Sequence, residues 1–89
     1  MNNEDRIIES IRAILIRSEE ETLYFNGLED DNSYAVPISC LVTNDITPGS
    51  EYLLSYFVKN KEIKPDGTRY IQKGEVISRE SLNNIRLDS

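Results

Sequence analysis

The chain is short and acidic, and its composition excludes several kinds of site. It has 89 residues, 16 acidic against 10 basic side chains and a net charge of −6. It has no His, which excludes His-based catalytic triads and His-ligated zinc, and its one Cys cannot form an internal disulfide. No stretch of 18 apolar residues occurs, so we expect no membrane span. These features predict one domain over residues 1–89, without cofactor or metal, in the cytoplasm.

The N-terminal part of the chain has the apolar spacing of a helix. Within residues 3–17, the large aliphatic side chains lie at offsets 0, 1, 4, 7 and 8, which is one stripe of an amphipathic helix. They are Ile7, Ile8, Ile11, Ile14 and Leu15. A strand starting at Ala13 is the competing prediction, because Ile16 lies off that stripe.

Two strands are predicted in the next part of the chain. The segment Thr22 to Asn26 is rich in strand formers and meets the turn dipeptide Asn26-Gly27. From Ser33 to Thr43, apolar and polar residues follow a period of two, which predicts a long strand. Pro37 cannot donate to a strand ladder, so we expect an edge position or a bulge there.

The segment Tyr52 to Val58 is almost entirely apolar or aromatic. Its length fits either a buried strand or a short helix capped by Ser50, and Tyr56, Phe57 and Val58 favour the strand.

A long antiparallel hairpin is predicted downstream. The sequence Pro65-Asp66-Gly67 supplies turn chemistry between Glu62-Ile63 and Arg69–Gln72. A last strand is predicted at Glu75–Ile77, and Ser78 can cap a short C-terminal helix.

Together these elements predict an α+β fold. The expected architecture is an N-terminal amphipathic helix packed on a curled antiparallel sheet, or small barrel, of about five strands. A short C-terminal helix is a further option.

Charge is distributed unevenly along the chain. Residues 1–50 carry a net charge of −7, whereas residues 51–89 carry +1. Six acidic residues form two clusters on either side of the strand predicted at Thr22–Asn26. They are Glu19, Glu20, Glu21, Glu29, Asp30 and Asp31.

Such clusters can bind a basic, nucleic-acid-binding protein by taking the place of phosphates. Tyr24, on the strand face opposite Leu23 and Phe25, is predicted to join this surface because Tyr is enriched at interfaces. The alternative is that both clusters are solvated loop tips and that Tyr24 is a half-buried sheet residue.

A basic and aromatic segment, residues 52–73, suggests a different function. Its side chains suit stacking on bases and contact with phosphates, so it can bind single-stranded nucleic acid or a small ligand. The candidates are Tyr56, Lys59, Lys61, Arg69 and Tyr70. The same segment can instead dock on the acidic half of a second copy, or its Lys and Arg can protect a strand edge from aggregation.

Catalytic signatures are missing from the sequence. The four glycines are isolated, so no phosphate-binding loop is present, and Cys40 has no His to activate it. In size and charge the chain is similar to small phage or bacterial inhibitor and immunity proteins. We therefore predict a non-enzymatic protein-binding module or inhibitor with a basic partner. Nucleic-acid or ligand binding and a structural homo-oligomer subunit are the alternatives.

Overall fold

The computed structural model describes residues 6–42 and 46–79, and this part of the chain is almost entirely β. It contains seven strands and no helix of seven or more residues. The strands, in chain order, are β1 (Ile8–Glu19), β2 (Thr22–Gly27), β3 (Ser33–Pro37), β4 (Glu51–Phe57), β5 (Lys61–Ile63), β6 (Arg69–Ile71) and β7 (Glu75–Ser78). The short segments Ile38–Cys40 and Val58–Asn60 are single 3-10 turns.

All seven strands belong to one sheet in the order β5-β6-β3-β2-β1-β4-β7. Every neighbouring pair is antiparallel except β3 and β6, which run parallel. After β3, Leu41 forms a parallel bridge with Val76 of β7, and the Val42 amide donates to the Val76 carbonyl at 2.9 Å. β3 and β7 are not neighbours in the sheet order, so the sheet must curl enough for the segment that follows β3 to reach β7.

Because the sheet curls, one of its two faces encloses an apolar core, although the fold has only one sheet layer. Strand side chains alternate between two faces, and the inward face supplies the core. The buried core residues are Ala13, Leu15, Leu23, Phe25, Tyr34, Val36, Cys40, Tyr52, Leu54, Tyr56, Ile71 and Val76. Because the described part has no helix to cover this face, the sheet buries it against itself.

The predicted α+β fold with an N-terminal helix is wrong, because most of the segment assigned to that helix is strand β1. β1 pairs with β2 on one side and β4 on the other, which satisfies its backbone on both edges. Its isoleucines are β-branched and favour a pleated strand over a helix. The helical stripe at Ile7, Ile8, Ile11, Ile14 and Leu15 is therefore divided between the two sides of the sheet.

A β-bulge at Ile16 explains why the period of two is hard to see in β1. Ala13 and Leu15 point inward, and an unbroken strand would turn Arg17 inward as well. The register shifts between Leu15 and Arg17, so Arg17 lies opposite Tyr24 instead. The bulge keeps the guanidinium out of the core.

Other strand predictions are confirmed with altered limits. β2 and the β5–β6 hairpin lie where expected. The predicted segment Tyr52–Val58 is strand rather than helix up to Phe57, and Val58 begins a 3-10 turn. The predicted strand from Ser33 to Thr43 ends at Pro37. β3 is an internal strand, but β6 pairs only with its Tyr34 and Ala35. At Pro37, β3 is therefore paired with β2 on one side and has no β6 partner on the other, which fits the edge position predicted there. The predicted C-terminal helix lies outside the described residues except for its start.

Candidate functional site

A groove of about 470 Å³ in volume lies at the N-terminal end of β1. One wall consists of Ile8 and Phe57, which face each other across the β1–β4 pair. Ile8 is 58% exposed and Phe57 is 39% exposed. Two large apolar side chains thus lie side by side in solvent at one end of the sheet.

The opposite wall is the segment that enters β7, and Gly74 lets it approach β4 closely. A Cβ atom on Gly74 would lie 2.7 Å from the Ser55 carbonyl oxygen and 2.9 Å from Tyr56 Cβ. Such distances are shorter than normal van der Waals contact. The absence of a side chain at Gly74 therefore sets the shape of this wall.

Two lysines give the groove a local positive charge on an acidic protein. Lys59 and Lys73 are exposed and line it, together with one carboxylate, Glu75. Within residues 6–42 and 46–79, neither ammonium group is within ion-pair distance of a carboxylate. We call this surface the basic groove; it is formed by Ile8, Tyr56, Phe57, Lys59, Lys73, Gly74 and Glu75.

A polar cluster fixes Tyr56, whose position helps to form the groove. The Tyr56 hydroxyl donates to Glu9 Oε1 at 2.8 Å, and Lys61 Nζ donates to the same oxygen at 2.9 Å. The hydrogen bond from Lys61, aided by the one from Tyr56, lowers the pKa of Glu9. Burial, aided by Glu9, raises the pKa of Tyr56 well above its usual value. Near neutral pH, Glu9 is ionised and Tyr56 is protonated.

A second tyrosine–carboxylate pair lies beside the first. The Tyr34 hydroxyl donates to Asp30 Oδ2 at 2.6 Å, which lowers the pKa of Asp30. Burial, with a contribution from Asp30, raises the pKa of Tyr34 to about 12. These shifts move the pKa values of both groups further from neutral pH. The pair therefore suits structural hydrogen bonding better than proton transfer.

The acidic residues predicted as a partner surface stay in two separate places. Glu19, Glu20 and Glu21 lie at the β1–β2 turn, which we call the acidic hairpin. Glu20 and Glu21 both have left-handed backbone conformations, with φ of 48° and 65°. Arg17 Nε contacts Glu19 Oε2 at 2.6 Å.

The second acidic cluster lies at the opposite end of β2, as the sequence predicts, and its carboxylates bind within the protein. Arg12 contacts Glu29 at 3.3 Å, and Asn26 donates to Asp31 at 3.0 Å. Asp30 is bound to Tyr34 as described above. The structure therefore does not bring the two clusters together.

Tyr24 lies on the outer face of β2, as predicted. The Arg17 guanidinium carbon lies 4.3 Å from the centre of its ring, within cation–π range. This contact occupies one face of the aromatic ring.

The residues predicted to bind nucleic acid do not converge on one surface. Tyr56 and Lys59 line the groove, but Lys61 is bound to Glu9. Arg69 donates to the Gly67 carbonyl at 2.6 Å, and Lys64 lies 5.3 Å from the centre of the Tyr70 ring. Only two of the five candidates therefore belong to the basic groove.

Sequence reasoning missed several residues of the groove. The apolar spacing places Ile8 on the buried stripe of a predicted helix, and Lys73 and Gly74 precede the predicted last strand. For Ile8, the identifying signal is the β1–β4 register, which pairs it with Phe57 across the sheet. That register follows only once β1 is recognised as a strand.

Residues 6–42 and 46–79 contain no group of three or more His, Cys, Asp or Glu side chains that could hold a metal ion. The same ranges contain no helix that is long and apolar enough to span a membrane.

Comparison with known protein families, with curated proteins and with solved structures finds no match to this chain.

Proposed function

We propose that the protein is a non-enzymatic protein-binding module and that the basic groove is its binding surface. The partner presents an acidic segment that also carries apolar side chains. The observation that carries this proposal is the pairing of exposed Ile8 and Phe57 with two lysines that make no ion pair within residues 6–42 and 46–79, on a protein of net charge −6.

The apolar pair supplies affinity, and the lysines supply orientation. Covering two large exposed side chains removes apolar surface from water, which contributes a favourable hydrophobic free energy of about 25 cal/mol for each Å² buried. Lys59 and Lys73 select a partner of opposite charge and oppose one of the same charge. An acidic segment with Leu or Phe side chains satisfies both requirements.

The acidic clusters fit the role of main binding surface less well. Four of their six carboxylates already have internal partners: Glu19, Glu29, Asp30 and Asp31. Binding a basic protein through them requires those contacts to be shared or broken. The interpretation as a decoy for a basic partner stays a prediction.

Binding of single-stranded nucleic acid also has less support. Lys61, Arg69 and Tyr70 are engaged within the protein, so no continuous platform of stacking rings and cations forms.

The free thiol of Cys40 is buried in the core. A buried, unpaired Cys is suited to a reducing compartment, which supports cytoplasmic location as part of the proposal.

The experiment is a calorimetric titration with a short peptide that alternates Glu with Leu. A peptide with Lys in place of Glu is the control ligand. The double variant K59E/K73E should weaken binding of the acidic peptide by about tenfold or more, since two attractive charges become repulsive.

K64E is the matched control variant, because Lys64 lies on the β5–β6 hairpin and contacts Glu62 rather than the groove. It should bind the acidic peptide nearly as well as the wild type. Equal affinity of the wild type for the acidic and basic peptides would refute the proposed function.

A further inference from the structure

We infer that the acidic segment recognised by the basic groove is the acidic hairpin of a second copy, so that copies associate head to tail. This inference rests on the proposed function, because it names the occupant of the same groove. It connects the two oppositely charged surfaces that the fold places at the two ends of its longest strand.

The placement of the two surfaces follows from β1. Its first residue, Ile8, forms one wall of the groove, and its last residue, Glu19, begins the acidic hairpin. Twelve residues of strand at a rise of about 3.3 Å separate the two by about 36 Å. The groove and the hairpin therefore lie at opposite ends of β1, so one molecule cannot fill its own groove.

The hairpin presents its carboxylates on a tight turn. β1 and β2 are joined by only Glu20 and Glu21, since Glu19 pairs with Thr22. Both turn residues have positive φ, as in the tight type I′ turns of two-residue hairpins. The end of β3 flanks the turn, because the Ile38 amide donates to the Glu21 carbonyl at 2.8 Å. The hairpin thus ends in two adjacent exposed carboxylates.

The charges of the two surfaces are complementary. Glu20 and Glu21 have no ion-pair partner among the described residues, and the same holds for Lys59 and Lys73. The two turn carboxylates therefore meet the two ammonium groups when the hairpin of one copy contacts the groove of another, where Glu75 is the one carboxylate of the lining. Ile16, the exposed bulge residue near the hairpin end of β1, adds apolar surface to the same end.

The two contacting surfaces are different patches of the same molecule. A contact of this kind is heterologous, so it extends into rings or open chains and does not close as a two-fold dimer. We expect sedimentation velocity of the wild type to show species larger than a dimer as concentration rises.

Charge exchange between the two surfaces provides the decisive test. K59E/K73E has a reversed groove, and E20K/E21K has a reversed hairpin. Each variant alone should associate about tenfold or more weakly than the wild type, because like charges then meet. An equimolar mixture should regain association, since the reversed groove of one variant complements the reversed hairpin of the other, and the two native surfaces still complement each other.

A variant that improves the turn separates folding from association. E20N/E21G places Asn-Gly, the preferred type I′ pair, at the turn and removes both carboxylates. It should raise the urea midpoint of unfolding and still lose self-association. Loss of association in this variant cannot be ascribed to misfolding.

The outcomes distinguish this inference from the proposed function. A wild type that stays monomeric up to millimolar concentration, while its groove still binds the acidic peptide, would overturn the head-to-tail inference alone. Self-association that is unchanged in both charge-reversed variants would also overturn it. Loss of peptide selectivity would overturn the proposed function as well.

Discussion

The hydroxyl of Tyr56 donates to the carboxylate of Glu9 at 2.8 Å, joining β4 to β1 beside the basic groove. Tyr56 is buried, and Glu9 also accepts a hydrogen bond from Lys61. One carboxylate thus links the end of the apolar core to the start of β5. The position of Tyr56 in the groove depends on this link.

Removing the hydroxyl tests that link. Y56F keeps the ring but loses a hydrogen bond to a charged group, so the free energy of unfolding should fall by about 1–2 kcal/mol. Urea denaturation measures the change. The control is Y24F, which alters an outer-face ring and should change stability by less than about 0.5 kcal/mol. Equal losses in the two variants would contradict a structural role for the bond between Tyr56 and Glu9.

The low carboxyl pKa values make stability depend on pH in the acid range. Folding lowers the pKa of Glu9 and Asp30 from ordinary values of 4.5 and 3.8, so the unfolded chain binds protons first as the pH falls. Their contribution is complete above about pH 5 and is lost as the pH falls through about 4 and below.

Urea midpoints measured from pH 7 to pH 3 should decline in the wild type, and E9Q should reduce the decline. E62Q is the control, because Glu62 is an exposed carboxylate paired with Lys64. A pH profile for E9Q that matches that of the wild type would show that Glu9 does not carry this dependence.

The close approach at Gly74 gives a prediction about both stability and shape. G74A places a Cβ atom 2.7 Å from the Ser55 carbonyl oxygen, so the chain must shift, at a cost of about 1–3 kcal/mol. G49A is the comparison, because a Cβ there meets no atom within 4 Å and only its φ of 91° opposes the change. Acidic peptide binding should weaken in G74A and stay unchanged in G49A, as calorimetry can show.

Strands bounded by local turn chemistry could be predicted from the sequence. β2, which ends at Asn26-Gly27, and the hairpin around Pro65-Asp66-Gly67 lie where short-range signals placed them. The two acidic clusters also lie at opposite ends of β2, because the rise of a strand fixes that separation. In each case the deciding interactions lie within a few residues of each other.

β1 could not be predicted in the same way, because its structure is decided by distant partners. Its isoleucine spacing fits a helix, but pairing with β2 and β4 satisfies the backbone and divides those side chains between two faces. The bulge at Ile16 further hides the period of two. The basic groove depends on the same pairing, since it brings Ile8 beside Phe57, 49 positions away in the chain.

NMR mapping tests most directly whether the basic groove is the binding surface. Backbone amide shifts are recorded on the wild type while the acidic Glu-Leu peptide is added. The largest changes should occur at Ile8, Phe57, Lys59 and Gly74, and K59E/K73E should reduce them at the same peptide concentration. Shifts concentrated instead at the Arg17–Tyr24 face or on the β5–β6 hairpin, with the groove amides unmoved, would contradict this prediction.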